Sequence, residues 1–290
     1  MQNRHNESGV VMRAYATLLD GFTDYLNSDE IYEKYWGWSV DPPHTIEEFR
    51  QKQFQGFIDR INRVPFDSEA ADKGTAFNEL VDALIGHRGP ADGFEFTKIL
   101  EPGVMPVVSG QVDNCEPDER WADVQYVNNP KAGKVTAIKV RYKEREFFFD
   151  IKLAREFSDY YKGALSQQFV SALVPTAFGY VEVYGFVDEL MPQSVHDIKT
   201  TSSYAVGKFK DHWQHIVYPY CYWKAGMEPL PFEYNVAQID KYGRWETFTE
   251  SYQFVPERDV PRLVAVCEDL YRFIQEHRYL ITDKKIFNQL

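Results

Sequence analysis

The sequence predicts a mixed α/β, or α+β, protein: a central mixed sheet flanked by helices, with extra helices at the N-terminus and a β-rich insertion. Stretches with the apolar period of helices alternate along the chain with short runs rich in β-branched and aromatic residues. Hydrophobic residues make up 44% of 290, enough for a sizeable core. A strand-like pair, Tyr180 to Leu190 and Val195 to Lys199, stands between helical patterns, which favours one layered domain.

In chain order, Val10 to Asn27 places Val11, Ala14, Leu18, Phe22, Tyr25 and Leu26 on one helical face. Residues 28–44 read as loop, with Trp36, Trp38 and the Pro42-Pro43 pair. Thr45 followed by Glu48 is a capping-box signature, and the helix it opens carries Phe49, Phe57 and Ile61 until Pro65 closes it. A helix at Gly74-Thr75 bears the core stripe Phe77, Leu80, Val81, Leu84 and Ile85. Residues 87–152 form the insertion, with strand-like runs at 104–112, 134–142 and 145–151; the last two read as a hairpin around Lys143-Glu144. Leu153 to Leu173 predicts a helix anchored by Phe157, Tyr160, Tyr161, Leu165 and Phe169. The central strands turn over Met191 to Ser194, where Pro192 stands. Gly207 to Trp223 predicts a helix, kinked by Pro219. Strands near 231–239 and 244–254 precede a closing helix over 256–275 with Leu263, Val266, Leu270 and Phe273. No repeat or long linker appears, so one domain over 1–290 is expected: helical elaboration 1–66, core 67–86 and 176–255, insertion 87–152, C-terminal helix 256–290.

A net charge of −12 counts against a protein that coats nucleic acid generally, where a basic footprint is expected. Local basic strips remain available: Lys131 to Arg145 holds six Lys or Arg residues, and Lys208 and Lys210 follow later. Cys115, Cys221 and Cys267 are scattered without a Cys-x-x-Cys pair, as in reduced cytoplasmic proteins. The segment 1–9 is polar and lacks a signal core, and no run approaches a membrane span, so a cytoplasmic protein without a membrane partner is expected. No phosphate-binding Gly-rich loop is present, which argues against ATP hydrolysis. The three-residue spacing of His212 and His215 makes metal binding conceivable, but an exposed helix face is the plainer account.

The chemistry-bearing residues lie in the centre. Strand alternation puts Glu182, Tyr184, Phe186 and Asp188 on one face of the first central strand and Val181, Val183 and Val187 on the other. Asp197 and Lys199 point one way while Ile198 points to the core, and the hairpin can bring Asp188 beside Asp197. Two carboxylates crowded in a low-dielectric place repel unless a cation lies between them. Hard oxygens suit Mg²⁺ or Mn²⁺, with water and a substrate phosphate completing the shell. Lys199 can orient an attacking water or stabilise charge on the phosphate. Gln214 and Tyr218, at i and i+4, share a helix face. For Asp-x-Lys alone, an ordinary strand pair with solvated charges is the plainer account.

The ordered set is more specific. Gly74-Thr75 opening a helix, Gly185-Phe186-Val187-Asp188, Asp197-Ile198-Lys199-Thr200 and Gln214 with Tyr218 resemble, in family order, the motifs of the RecB-like branch of the PD-(D/E)xK nuclease superfamily, over roughly residues 68–240. The resemblance implies a restriction-endonuclease-like core and a Mg²⁺- or Mn²⁺-dependent deoxyribonuclease. It further implies an exonuclease acting on DNA, single- or double-stranded and at its ends, in phage or bacterial recombination and repair. By position, Asp188 and Asp197 look like metal ligands, Lys199 like the catalytic lysine, and Gln214, Tyr218 and Thr200 like supporting or substrate-binding residues. Ring-forming relatives make a homo-oligomer, or a recombination partner protein, conceivable. The family's frequent first-helix histidine ligand is replaced by Asn78, which still offers a carbonyl oxygen. Asn78 flanks the core stripe while Glu79 lies nearly opposite it, which favours Asn78 as the third ligand over Glu79. The Asn78 substitution and the acidic surface leave an alternative of another class: a nuclease-fold module that binds nucleic acid or protein without cutting.

Overall fold

The computed structural model describes residues 9–108 and 124–287. Its centre is a six-stranded mixed sheet. The chain opens with β1 (Val10–Tyr15), runs directly into α1 (Ala16–Leu26), and continues through α2 (Ser28–Trp36), α3 (Ile46–Ile61) and α4 (Glu69–Ile85). The insertion supplies β2 (Phe94–Leu100), β3 (Val104–Val108), β4 (Val124–Asn128), β5 (Val135–Tyr142) and β6 (Arg145–Asp150). Then come α5 (Ile151–Tyr160), β7 (Leu165–Thr176), β8 (Gly179–Met191), β9 (Ser194–Thr201), α6 (Gln214–Lys224), β10 (Pro231–Ile239), β11 (Trp245–Gln253) and α7 (Pro256–Glu276). The mixed α/β class and the sheet with helices on its faces are as the sequence predicts.

The central sheet orders its strands β1-β8-β9-β10-β11, with β7 along the other edge of β8. β8 is long enough to take two neighbours on one edge. β1 runs parallel to it over Tyr180–Tyr184, and β9 runs antiparallel over Glu189–Met191. Between these partners, Gly185 to Asp188 face a notch on that edge. β9 leaves β8 after His196 but stays paired with β10 up to Thr201. One face of the sheet is packed by α1, α6 and α7 around Val183, Val187, Val217, Phe232 and Leu270. The other is covered over β9 and β10 by α4, α5 and the β2-β5-β6 sheet, around Phe77, Phe149, Phe157 and Ile198.

Several elements match expectation closely. Thr45 and Glu48 form the reciprocal capping box of α3. β5 and β6 form the insertion hairpin, with Lys143 in a left-handed turn conformation at φ 53°. Other expectations need correction. The first apolar run is a strand followed by a helix: Met12 and Ala14 are buried at period two, because β1 docks on β8. Residues 28–44 are not all loop; α2 occupies 28–36 and packs Tyr32 and Trp36 at an angle against Phe49 of α3. The helix expected over Leu153 to Leu173 ends at Tyr160, and Gly163 at φ 86° turns the chain into β7. Leu165 and Phe169 are thus strand residues, not helix anchors. α6 begins at Gln214 rather than Gly207. His215 is buried and stacked on Tyr252 at 4.3 Å, not exposed.

The expected basic strip is largely neutralised: Lys139 and Arg141 pair with Glu146, Lys143 with Asp72, and Arg145 with Asp67 and Asp72. Cys221 and Cys267 are free and buried. Cys115, residues 1–8 and the 109–112 part of the expected third strand run lie outside the described residues. Among the described residues, no helix is long and apolar enough to cross a membrane.

Candidate active site

The notch on β8 gathers the motif residues. The β8–β9 register pairs Glu189 with His196, so its next step sets Asp188 opposite Asp197. The ladder is replaced there by a side chain: Asp188 Oδ2 accepts the Ile198 backbone N–H at 2.9 Å. From α4, Asn78 donates its amide to the same oxygen at 3.1 Å. Asn78 Oδ1 is buried without a hydrogen-bond partner. Glu79 turns away, bound by Arg88 at 2.6 Å and by the Ala91 N–H at 2.7 Å.

Asp197 and Lys199 project from β9 toward α6. Lys199 Nζ lies 2.7 Å from Asp197 Oδ2 and donates to Gln214 Oε1 at 2.7 Å. Asp197 Oδ2 has close approach to that ammonium but no aligned donor. Gln214 turns its amide to Asp197 Oδ1 and, more loosely at 3.4 Å, to the Tyr218 hydroxyl. Thr200 lies beside α4, where a side chain on Gly74 would meet its hydroxyl at 3.3 Å. Asn78 and Asp188 are thus joined on one side and Asp197, Lys199, Gln214 and Tyr218 on the other, while Thr200 sits against α4 and Glu79 turns away.

The electrostatics are those of crowded acid. Asp188 keeps a partly exposed edge, yet burial and repulsion from Asp197 push its carboxyl up to about 8. Burial works against the charge of Lys199, but the Asp197 carboxylate overrides it and holds the ammonium above its ordinary value. Backbone geometry is unusual beside the site. Gln167, between the ladder pairs Ser166–Glu189 and Gln168–Val187 that flank Asp188, has φ 52°, a left-handed conformation costly for a residue with a side chain.

One contact ties two motifs together. A Cβ on Gly185 would lie 2.6 Å from Tyr218 Cε1 and 2.9 Å from its hydroxyl. The glycine of Gly-x-x-Asp is therefore required by the tyrosine of Gln-x-x-x-Tyr. Gly185→Ala is expected to cost about 1–3 kcal/mol of stability by overpacking. In Gly185→Ala/Tyr218→Ala most of that cost should vanish, and thermal unfolding of the four proteins of the cycle measures it.

Sequence reasoning missed two neighbouring features. Asp20 on α1 accepts the Trp213 N–H at 2.6 Å, fixing the start of α6, and burial raises its carboxyl to about 7. Asp82, one turn beyond Asn78, adjoins Glu189, which accepts from Ser166 Oγ at 2.9 Å and is pushed up to about 9, first by burial and then by Asp82. The signal for Asp82 is its i+4 spacing from Asn78 along the flank of the apolar stripe.

The donor set suits a small hard cation: two carboxylates, one of them crowded, and an amide oxygen with no protein partner. Among the described residues no group of three or more His, Cys, Asp or Glu is gathered as a cation cage. A site of two carboxylates and an amide fits Mg²⁺, which keeps several waters in its shell.

No family model matches the sequence, and no curated protein matches it. Among solved structures, a crystal structure at 2.19 Å resolution of a candidate exonuclease from Eubacterium rectale aligns with a TM-score of 0.32 and 17% identity. The alignment covers 45% of this chain and spans about half, 55%, of that one. The chemical reading therefore rests on the chain's own side chains.

Proposed function

We propose that this protein is a Mg²⁺- or Mn²⁺-dependent deoxyribonuclease, acting as an exonuclease on DNA ends. The observation that carries the reading is the orphaned oxygen of Asn78, whose amide binds Asp188, with Asp197 crowding the same carboxylate from β9. A cation held by Asp188, Asp197 and Asn78 would supply a water of lowered pKa and Lewis-acid charge at the phosphate. The chain's own residues do the rest. Lys199, kept charged by Asp197, faces the developing negative charge on the phosphate oxygens. Gln214 fixes Lys199 and Asp197 relative to each other, so the ammonium needs no reorganisation during reaction. The water oxygen bonds to phosphorus and gives up a proton to solvent, the P–O ester bond opposite it breaks, and the leaving oxygen takes a proton from solvent. A role in phage or bacterial recombination or repair, in the cytoplasm and alone, as a homo-oligomer or with a partner protein, belongs to the same reading.

The test is digestion of linear, closed-circular and single-stranded DNA with Mg²⁺ or Mn²⁺, beside calorimetric titration with Mn²⁺. The expected outcome is degradation of linear substrates, sparing of closed circles, and metal binding that Asp188→Ala removes. Undiminished cleavage by Asp197→Ala would sink the assigned roles. Absence of metal binding by the parent protein would favour the non-cutting module instead.

A further inference from the structure

α4 and α5 cover the second face of the central sheet only over β9 and β10, where Ile198, Ala237 and Ile239 join their core. Over β7 and β8 the same face carries exposed aromatic rings. Phe186, two residues before Asp188, is 57% exposed, and Phe169, directly opposite it in the ladder, is 53% exposed. Their ring centroids lie 5.3 Å apart. The row continues from Phe169 to Tyr184 at 6.3 Å and from Tyr184 to Tyr15 at 6.0 Å. Guanidinium groups flank it: Arg13 sits 4.8 Å over the Tyr184 ring, and Arg63 lies 5.6 Å over Tyr15 and donates to the Tyr184 hydroxyl at 2.9 Å.

Resting on the nuclease reading above, we propose that this row binds single-stranded DNA by stacking its unpaired bases, laying the strand toward the notch at Asp188 and Asp197. Three observations select that occupant. The row is continuous along β8 with the candidate site, since Phe186 and Asp188 are separated by one residue. Its charges repel a polyanion less than the molecule as a whole: net charge is −12, yet here Glu182 is paired with Arg13 and Asp283 with Arg63. Both arginines keep part of their side chains exposed, at 30% and 47%, within reach of backbone phosphates. The rings are also too small a surface for a second copy of the chain. Two half-exposed phenylalanines offer roughly 200 Å², against about 800 Å² per partner in a stable interface. Bases in a duplex already have both faces stacked, whereas an unpaired base presents a free face that any flat aromatic can take.

The test is fluorescence anisotropy with labelled oligothymidylate and, separately, a blunt duplex, in EDTA so that nothing is cleaved. Phe169→Ala and Phe186→Ala are each expected to weaken single-strand binding at least about 5-fold, the low end for one lost stack. Duplex binding should stay unchanged. Should either alanine variant unfold, Phe169→Leu or Phe186→Leu keeps the apolar bulk and removes the stack, and the same loss is expected. Parent-like binding by folded variants overturns the stacking surface, as does a parent dimer that the variants convert to monomer. Cleavage that persists with phenylalanine-independent binding overturns this inference alone. Phenylalanine-dependent binding in a protein that takes up no metal overturns the nuclease reading alone.

Discussion

Asp188→Asn protein is expected to melt higher than the parent at pH 8 in the absence of metal, while losing Mn²⁺ binding and cleavage. The folded carboxyl titrates at about 8, against 3.8 for an ordinary aspartate. Between those values the native state holds a proton that the unfolded chain has released. Stability due to this group therefore falls as pH rises from about 4 to about 8. At pH 8 the cost of the crowded carboxylate is on the order of a few kcal/mol. An amide of the same shape carries no charge into the notch and still offers an oxygen to the Ile198 N–H. The gain should appear as a rise of several degrees in melting temperature, shrinking to nothing near pH 4. Differential scanning calorimetry of both proteins from pH 4 to 8 measures it. A parent protein at least as stable as the variant throughout that range would show that Asp188 is not crowded. Mn²⁺ added to the parent should release protons below pH 8, because the cation displaces the proton on Asp188. A group that destabilises the empty protein and is relieved by a ligand is what a binding site, rather than a structural contact, looks like.

How far the sequence could be read followed the reach of its signals. Local signals worked: the Thr45 capping box, the Lys143-Glu144 hairpin and the alternation of Val181, Val183 and Val187 each act within a few residues. The Asp188–Asp197 approach was also legible, because one hairpin turn sets its register. What escaped depended on partners distant in the chain. β1 has a helix-like apolar spacing and becomes a strand only because β8 offers an unpaired edge about 170 residues away. The helical period of Phe157 to Phe169 runs across Gly163 into β7, and only the left-handed turn at that glycine separates helix from strand. Asp20 was missed for the same reason: nothing in α1 shows that its carboxylate meets the start of α6. The notch itself, made by two strands sharing one edge of β8, is a property of topology that no motif spells out.

Removing Lys199 should have the larger consequence, since the side chain is the only ammonium placed among these carboxylates by the described contacts. Its Nζ approaches Asp197 at 2.7 Å, and Asp188 and Asp20 add to the field that keeps it charged. Lys199→Ala leaves Asp197 buried beside Asp188 without compensation, expected to cost about 3–5 kcal/mol in metal-free protein. The sign differs from the Asp188 case. The folded pKa of Lys199 is raised above 10.5, so its contribution is complete below that value and fades only as pH rises through the folded pKa. Between pH 6 and 8 the contribution from Lys199 itself should not vary, whereas the Asp188→Asn gain grows. Saturating Mn²⁺ should return part of the lost stability, because a divalent cation can neutralise the same pair. Activity should not return with it. With the metal bound and the fold restored, cleavage by Lys199→Ala is expected to remain on the order of 10²–10⁴-fold below the parent, the range for a lost positioned donor or acid. Lys199→Arg should rescue stability better than rate, since a planar fork cannot take the place of a point ammonium between Asp197 and Gln214. Single-turnover cleavage at saturating Mn²⁺, read beside melting temperature, separates the two effects. A variant that regains full rate along with its stability would reduce Lys199 to a structural counter-ion.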